Sequence, residues 1–225
     1  MSKKIIAMVF ILLMVMLSGC GAISKATTST IYINTKGKVS SVTVEALPAQ
    51  QYSEEDLKNL IDLSIAEYNS GQDEEKIKLD GFKVKGDQAR LTMSYATSLD
   101  YEGFNGRVLF WGTVSEAIAA GYKFDMDFID EAKAVTKGSV ITAPKAEDNQ
   151  KEEQVIITNE PVQIQTTKDI LYTSKNATII DERLVQVEAE AGATDNGITF
   201  GNSENAYIIF GDKPKENKEA SESGS

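Results

Sequence analysis

The sequence predicts an α+β fold, in which an antiparallel or mixed sheet with one or two helices is followed by a β-rich C-terminal region. Two pairs of short runs alternate between apolar and polar residues, which indicates β-hairpins. Between these pairs, one stretch carries apolar residues at helical spacing behind a polar cap. After residue 153 the runs are again short, β-like and separated by turn residues.

The first twenty residues have the composition of an export signal. Two lysines precede an apolar run of 13 residues, Ile5 to Leu17, and this run ends in Leu-Ser-Gly-Cys at positions 17–20. A basic start, a compact apolar core and a small-residue cleavage site are the three parts of a signal peptide. The apolar core is shorter than the roughly 20 residues that cross a bilayer as a helix.

This pattern resembles the lipobox signal of bacterial lipoproteins. The resemblance implies a signal peptide over 1–19, in which Gly19 is the last residue removed, and a diacylglyceryl group on the sulfur of Cys20. Two acyl chains anchor a protein stably, whereas a single chain binds reversibly. Cys20 would then hold the protein on the extracytoplasmic face of a bacterial cell membrane. The alternative is a plain signal peptide whose cleavage site happens to contain a cysteine.

Composition excludes several classes of function. Removal of residues 1–19 leaves 21 basic residues against 34 acidic ones, a formal charge of −13, which repels nucleic acid and anionic lipid head groups. The chain has no histidine, so histidine triads and HExxH zinc sites are impossible. Neither a GxGxxG nor a Walker A sequence occurs, and we expect no cofactor.

The N-terminal half is expected to form an α+β domain over residues 30–142, after a lipidated cysteine and flexible tether over 20–29. Residues 30–34 and 39–46 predict a hairpin, with Gly37 in its turn. Ser-Glu-Glu-Asp at 53–56 resembles a capping box and predicts a helix over 54–69 that packs on the sheet.

Further along this half, residues 76–85 and 88–97 predict a second hairpin. A loop containing Gly103 and Gly106 is expected to follow. Thr-Val-Ser-Glu, beginning at position 113, is another capping-box pattern and predicts a short helix over 114–120.

The C-terminal half begins after a polar stretch, residues 143–153, which predicts a linker. Residues 154–210 are expected to form a β-rich domain, and residues 211–225 have the composition of a disordered tail. A β-rich unit of under 60 residues without a disulfide is marginally stable alone. We therefore expect it to pack on the N-terminal part or to extend its sheet.

One candidate binding site is aromatic. Tyr101, Phe104 and Trp111 lie near the two glycines of the expected loop, and exposed aromatic rings can hold sugars or peptides. The alternative is core packing, because residues 108–111 form a continuous apolar run of the kind that becomes buried.

A second candidate is acidic. Asp125 and Asp127, with further acids at 130 and 131, suggest calcium binding, but their spacing does not fit a calcium loop. Apolar residues alternate with the two aspartates, which is typical of a strand with one buried and one solvated face. We assign no metal site and no catalytic residue.

The sequence therefore favours a non-catalytic binding or interaction module of the cell envelope, whose partners are the membrane, through Cys20, and an envelope protein or ligand that the sequence does not identify. Such a module predicts an exposed apolar patch or a free strand edge and no deep polar cleft.

A carboxylate-dependent hydrolase is an alternative. It would require two of four aspartates to converge, namely Asp80, Asp100, Asp125 and Asp127. A solute-binding receptor is a second alternative, although it usually needs two sizeable α/β lobes.

Overall fold

The computed structural model describes residues 23, 25–47, 53–142, 152–189 and 204–213. Gly19 and Cys20, most of the expected linker and most of the expected tail lie outside these residues. The strands of the described part are β1 Thr30–Ile33, β2 Val39–Ala46, β3 Ile77–Lys85, β4 Gln88–Tyr95, β5 Leu109–Thr113, β6 Asp127–Ile129, β7 Val135–Lys137, β8 Gln154–Thr158, β9 Gln163–Gln165, β10 Asp169–Ser174, β11 Ala177–Asp181, β12 Leu184–Val187 and β13 Ala206–Gly211. Its helices are α1 Glu54–Ser70, α2 Ser98–Asn105, α3 Val114–Ala119 and α4 Gly138–Ile141.

The strands form two sheets, and the α+β prediction is confirmed. The first sheet has seven strands in the order β11-β12-β9-β1-β2-β4-β3, and it is mixed because β1 and β9 run parallel. The second sheet has six strands in the order β5-β8-β13-β10-β6-β7, and all of its pairs are antiparallel.

Both sheets combine strands from the two predicted halves of the chain. In the first sheet, β9 of the C-terminal half adds to β1, with Ile164 opposite Ile31. In the second sheet, β5 of the N-terminal half pairs with β8. The C-terminal strands thus extend the N-terminal sheet, as expected, and the segment 143–153 does not separate one sheet from the other.

Both predicted hairpins are present. β1 pairs with β2 and β3 pairs with β4, each antiparallel to its partner. Their turns place Gly37 at φ 78° and Gly86 at φ 65°, in the left-handed region that glycine enters at little cost. Turn chemistry and the alternation of apolar residues were sufficient to define both hairpins.

Both predicted helices are also present. The Ser53 hydroxyl accepts from the backbone N–H of Asp56 at 3.0 Å and begins α1. Thr113 and Glu116 form the predicted capping box that begins α3.

The predicted loop around Gly103 and Gly106 is wrong, because residues 98–105 form α2. Thr97 caps this helix by accepting from the Asp100 N–H at 3.2 Å, and Gly106 ends it in the left-handed region. Gly103 fits inside the helix because it faces Tyr68 of α1, where a side chain would meet the phenol oxygen.

Two apolar cores lie on opposite faces of the second sheet. The inner core fills the space between the sheets and combines first-sheet residues such as Ile31 and Ile164 with second-sheet residues such as Ile156 and Ile208. The second core joins the other face of the second sheet to α3 and α4; its members include Ile157, Ile209, Ala117 and Ile141. The molecule is thus layered as first sheet, second sheet and short helices.

The other face of the first sheet points away from the inner core, and we call it the outer face. Residues directly opposite each other in register share a face, because side chains alternate along a strand. The outer face therefore carries Thr30, Tyr32, Val42, Val44, Lys83, Lys85 and Arg90.

The segment before β1, expected to be a flexible tether, crosses this outer face. Arg90 donates to the carbonyl oxygens of Ile23, at 3.3 Å, and of Ala26. The Ser29 hydroxyl accepts from the Val44 N–H at 2.9 Å and donates to the Val44 carbonyl. Residue 23 and residues 25–29 are thus fixed to the sheet, which corrects the tether prediction for this part of the segment.

Candidate functional site

Tyr101 lies in the inner core and not on a binding loop. It sits in α2 with 3% of its surface exposed, and its ring meets that of Tyr95 at a centroid distance of 4.9 Å. Its hydroxyl donates to Oε2 of Glu160 at 2.7 Å. Burial and the Glu160 carboxylate both raise the pKa of the Tyr101 phenol, so it stays protonated.

Glu160 is the polar group that sequence reasoning missed. It follows β8, where its backbone N–H donates to the Thr158 hydroxyl at 3.2 Å. Desolvation raises the pKa of its half-buried carboxyl, while the Tyr101 hydroxyl and the charge of Arg107 lower it. No sequence signal links Glu160 to Tyr101, since they lie 59 residues apart and meet only when β5 pairs with β8.

Phe104 and Trp111 also make packing contacts. Phe104 meets Tyr68 edge-on at 5.9 Å and Tyr95 at 6.2 Å, which joins α1, α2 and β4. Trp111, on β5, lies against Gly37 in the turn between β1 and β2. The three aromatic candidates thus bind other parts of the chain and form no exposed platform.

Asp125 and Asp127 lie elsewhere, before and at the start of β6 in the second sheet. Both are exposed, while Phe124 and Phe128 are buried, so the predicted alternation of wet and buried positions is present. The strand itself is shorter than expected and begins at Asp127. Asp127 pairs with Lys137 of the neighbouring strand β7 at 2.6 Å.

An open pocket of about 680 Å³ lies beside Asp127. Its apolar wall includes Met126, Ile129 and Tyr207, and its rim carries Lys175 and Glu204. The opposite charges on the rim and the apolar wall could hold a small amphipathic ligand, but the pocket contains none of the aromatic candidates.

Three of the four aspartates considered for hydrolysis make separate local contacts, and the fourth, Asp125, is exposed. Asp80 bonds to Ser94 on the first sheet, and Asp127 pairs with Lys137 on the second. Asp100 accepts from the Thr97 hydroxyl at 2.6 Å at the start of α2, and Asp125 is exposed before β6. The carboxylates of Asp80, Asp100 and Asp127 therefore each make contacts within or next to their own element, and the described contacts include no hydrogen bond that joins two of the four aspartates.

Two further observations concern metal binding and membrane-spanning helices. Among the residues that the structure describes, no cluster of three or more aspartate, glutamate or cysteine side chains is arranged to hold a metal ion. In the same part of the chain, no helix has both the length and the apolar composition needed to cross a membrane.

Several large apolar side chains of the described residues are exposed, including Val135, Val140 and Ile180, and two of them lie next to each other on α1. Leu60 and Leu63 of α1 are 62% and 69% exposed, and Leu99 at the start of α2 is 73% exposed. Leu60 and Leu63 are three residues apart and therefore neighbours on the helix surface. They lie opposite Ile61 and Ile65, which contact the inner core, so α1 is apolar on both sides.

We compared the chain with protein-family models, curated proteins and solved structures, and found no significant match in any of the three.

Proposed function

We propose that this protein is a lipid-anchored, extracytoplasmic protein of the bacterial cell envelope that acts as a non-catalytic binding or interaction module. The order of residues 1–20 carries the first part of this proposal. A basic start and 13 apolar residues supply the parts of a signal peptide, and Leu-Ser-Gly-Cys at its end resembles a lipobox. Cys20 is the anchor in this proposal, and two acyl chains on it would hold the protein stably.

The second part of the proposal is supported by how the polar groups and the leucines are placed. Three of the four candidate carboxylates are used in local structural contacts, and Tyr101 and Glu160 are hydrogen-bonded to each other inside the fold. By contrast, Leu60 and Leu63 leave an apolar strip on the outside of α1, where a surface helix is normally polar. An exposed strip of this kind fits a partner surface better than a reaction centre.

The anchor is tested by metabolic labelling with an alkyne fatty acid in the bacterial host. The native chain should be labelled and recovered with membranes, and Cys20→Ala should lose both properties. Thr27→Ala, an exposed change outside the signal, is the matched control and should behave as the native chain. A native chain that carries no label and is released into the medium would refute the anchor.

The binding role is tested by photo-crosslinking in intact cells, with a benzophenone amino acid at Leu63. A discrete crosslinked product should form from position 63 and should be absent when the same group replaces exposed Glu55 at the start of α1. Absence of a product from position 63, or equal products from both positions, would remove α1 as the binding surface.

A further inference from the structure

The path of the segment before β1 indicates how the protein sits on the membrane. The carbonyl oxygens of Ile23 and Ala26 accept hydrogen bonds from Arg90, whose side chain leaves the outer face of the first sheet. Ile23 is only 1% exposed, yet it belongs to neither apolar core. Val42 on the outer face is likewise 1% exposed and outside both cores. We therefore place the Ile23 side chain over the outer face, where it covers residues such as Val42.

The distance from Ile23 to the proposed anchor is short. Ile23 is three positions after Cys20, and successive α-carbons are 3.8 Å apart, so the two α-carbons are at most about 11 Å apart. The opposite side of the molecule lies much farther away. The second sheet packs about 10 Å from the first, and the short helices lie roughly another 10 Å beyond it.

The charges on the outer face fit the same orientation. Among the described residues of this face, the cations Lys78, Lys83, Lys85 and Arg90 outnumber the acids Asp80 and Asp181, although the protein as a whole is acidic. Lys83 and Lys85 are exposed. Lys25 lies in the segment that leads to the anchor and is also exposed. Lysine side chains near a bilayer surface are attracted to lipid phosphates over about one Debye length.

We propose that the outer face of the first sheet lies on the phospholipid headgroup layer, so that α3 and α4 point away from the membrane. This inference rests on the proposed lipid anchor. It assigns Lys83 and Lys85 to the layer of headgroup phosphates, while the second sheet, α3 and α4 face the aqueous side. The net charge would repel an anionic surface, but the anchor keeps the lysine-bearing face close to it.

The test uses the lipidated protein purified from membranes and reconstituted in phosphatidylglycerol–phosphatidylcholine vesicles. Because Cys20 is the only natural cysteine and would be acylated, a single introduced cysteine can carry a bimane label. Gln88→Cys, at an exposed position opposite Lys85, places the label on the outer face and keeps both lysines. Val140→Cys, at a 64% exposed position of α4, is the matched control on the opposite side. A nitroxide on the lipid headgroup acts as a short-range quencher.

We expect the label at position 88 to be quenched at least about threefold more strongly than the label at position 140, since about 20 Å separates the two layers. Equal quenching at both positions, or stronger quenching at position 140, would overturn the orientation. Mass spectrometry of the N-terminal peptide separates this result from failure of the anchor. An unacylated Cys20 would refute the lipoprotein proposal and the orientation together, whereas an acylated Cys20 with equal quenching refutes only the orientation.

Discussion

Trp111 and Gly37 join the two sheets at one end of the inner core. A Cβ placed on Gly37 would stand 2.8 Å from Cζ3 of Trp111, so the indole lies directly against the backbone of the turn between β1 and β2. Gly37 is also at φ 78°. One glycine therefore provides both the turn conformation and the flat surface on which the only tryptophan packs.

We expect Gly37→Ala to lower the free energy of unfolding by about 2–3 kcal/mol, combining the left-handed strain with displacement of a packed ring. Gly86→Ala is the matched control, because Gly86 has φ 65° but no neighbouring atom within 4 Å of the new Cβ. It should cost only about 1 kcal/mol. Urea unfolding followed by Trp111 fluorescence measures both changes. Equal losses in the two variants would show that the Trp111 contact contributes nothing.

The buried carboxyl of Glu160 predicts a dependence of stability on pH. An unperturbed glutamate has a pKa of about 4.3, and desolvation raises the pKa of Glu160 in the folded protein. Between these two values the folded protein binds more protons than the unfolded chain, so stability falls as pH rises through this window. Above the raised pKa, the folded protein is destabilised by the full cost of burying the charged Glu160 carboxylate.

Glu160→Gln should remove this part of the pH dependence, because the amide oxygen can still accept from Tyr101 without a buried charge. Its stability relative to the native protein should therefore increase as pH rises from about 4 to 7. Glu67→Gln, at an exposed position of α1, is the control and should leave the pH profile unchanged. Urea midpoints measured across this range test the prediction, and parallel profiles for native protein and Glu160→Gln would contradict it.

Local patterns predicted the elements whose signals lie within a few residues. The two hairpins follow from alternation around Gly37 and Gly86, and α1 and α3 follow from their caps. Helix α2 was missed because two glycines and clustered aromatics resemble a loop. Its cap, Thr97 to Asp100, is visible in the sequence once that stretch is considered helical.

Long-range relations could not be predicted in the same way. The parallel pairing of Ile31 with Ile164 joins positions more than a hundred residues apart, and no local pattern specifies it. The Tyr101–Glu160 hydrogen bond likewise depends on a long-range pairing, that of β5 with β8 in the second sheet. The sequence left a binding role and core packing open for the aromatic candidates, and only the folded structure shows that Tyr101 and Trp111 make packing contacts.

Gly138 predicts a second packing constraint, at the start of α4. A Cβ at this position would lie 1.7 Å from the carbonyl oxygen of Phe124, and the Gly138 N–H donates to the Met126 carbonyl at 2.9 Å. The nearest atoms to this Cβ belong to the backbone carbonyl groups of Phe124 and Met126, so a side-chain rotation cannot relieve the clash. We expect Gly138→Ala to cost about 3 kcal/mol or more.

Gly81→Ala serves as the comparison for Gly138→Ala, because no atom lies within 4 Å of a Cβ at Gly81. It should change stability by less than about 1 kcal/mol. Soluble yield and urea midpoints measure both variants. If Gly138→Ala kept native stability, the close approach of α4 to the segment around Phe124 would be refuted.

Arg90 predicts that the segment before β1 can be released from the sheet by one substitution. Its guanidinium donates to the carbonyls of Ile23 and Ala26, so Arg90→Ala should free this segment while β1 and β2 stay paired. Hydrogen–deuterium exchange measures this directly.

The Ala26 amide, which donates to the Ile23 carbonyl at 3.0 Å, should exchange at least about tenfold faster in the variant. Amides of β8 should exchange at the native rate, and Lys83→Ala, a change on the same face without this bond, should leave Ala26 protected. If Ala26 stayed protected in Arg90→Ala, the segment would be held by other contacts, and Arg90 would not be the group that holds this segment on the outer face.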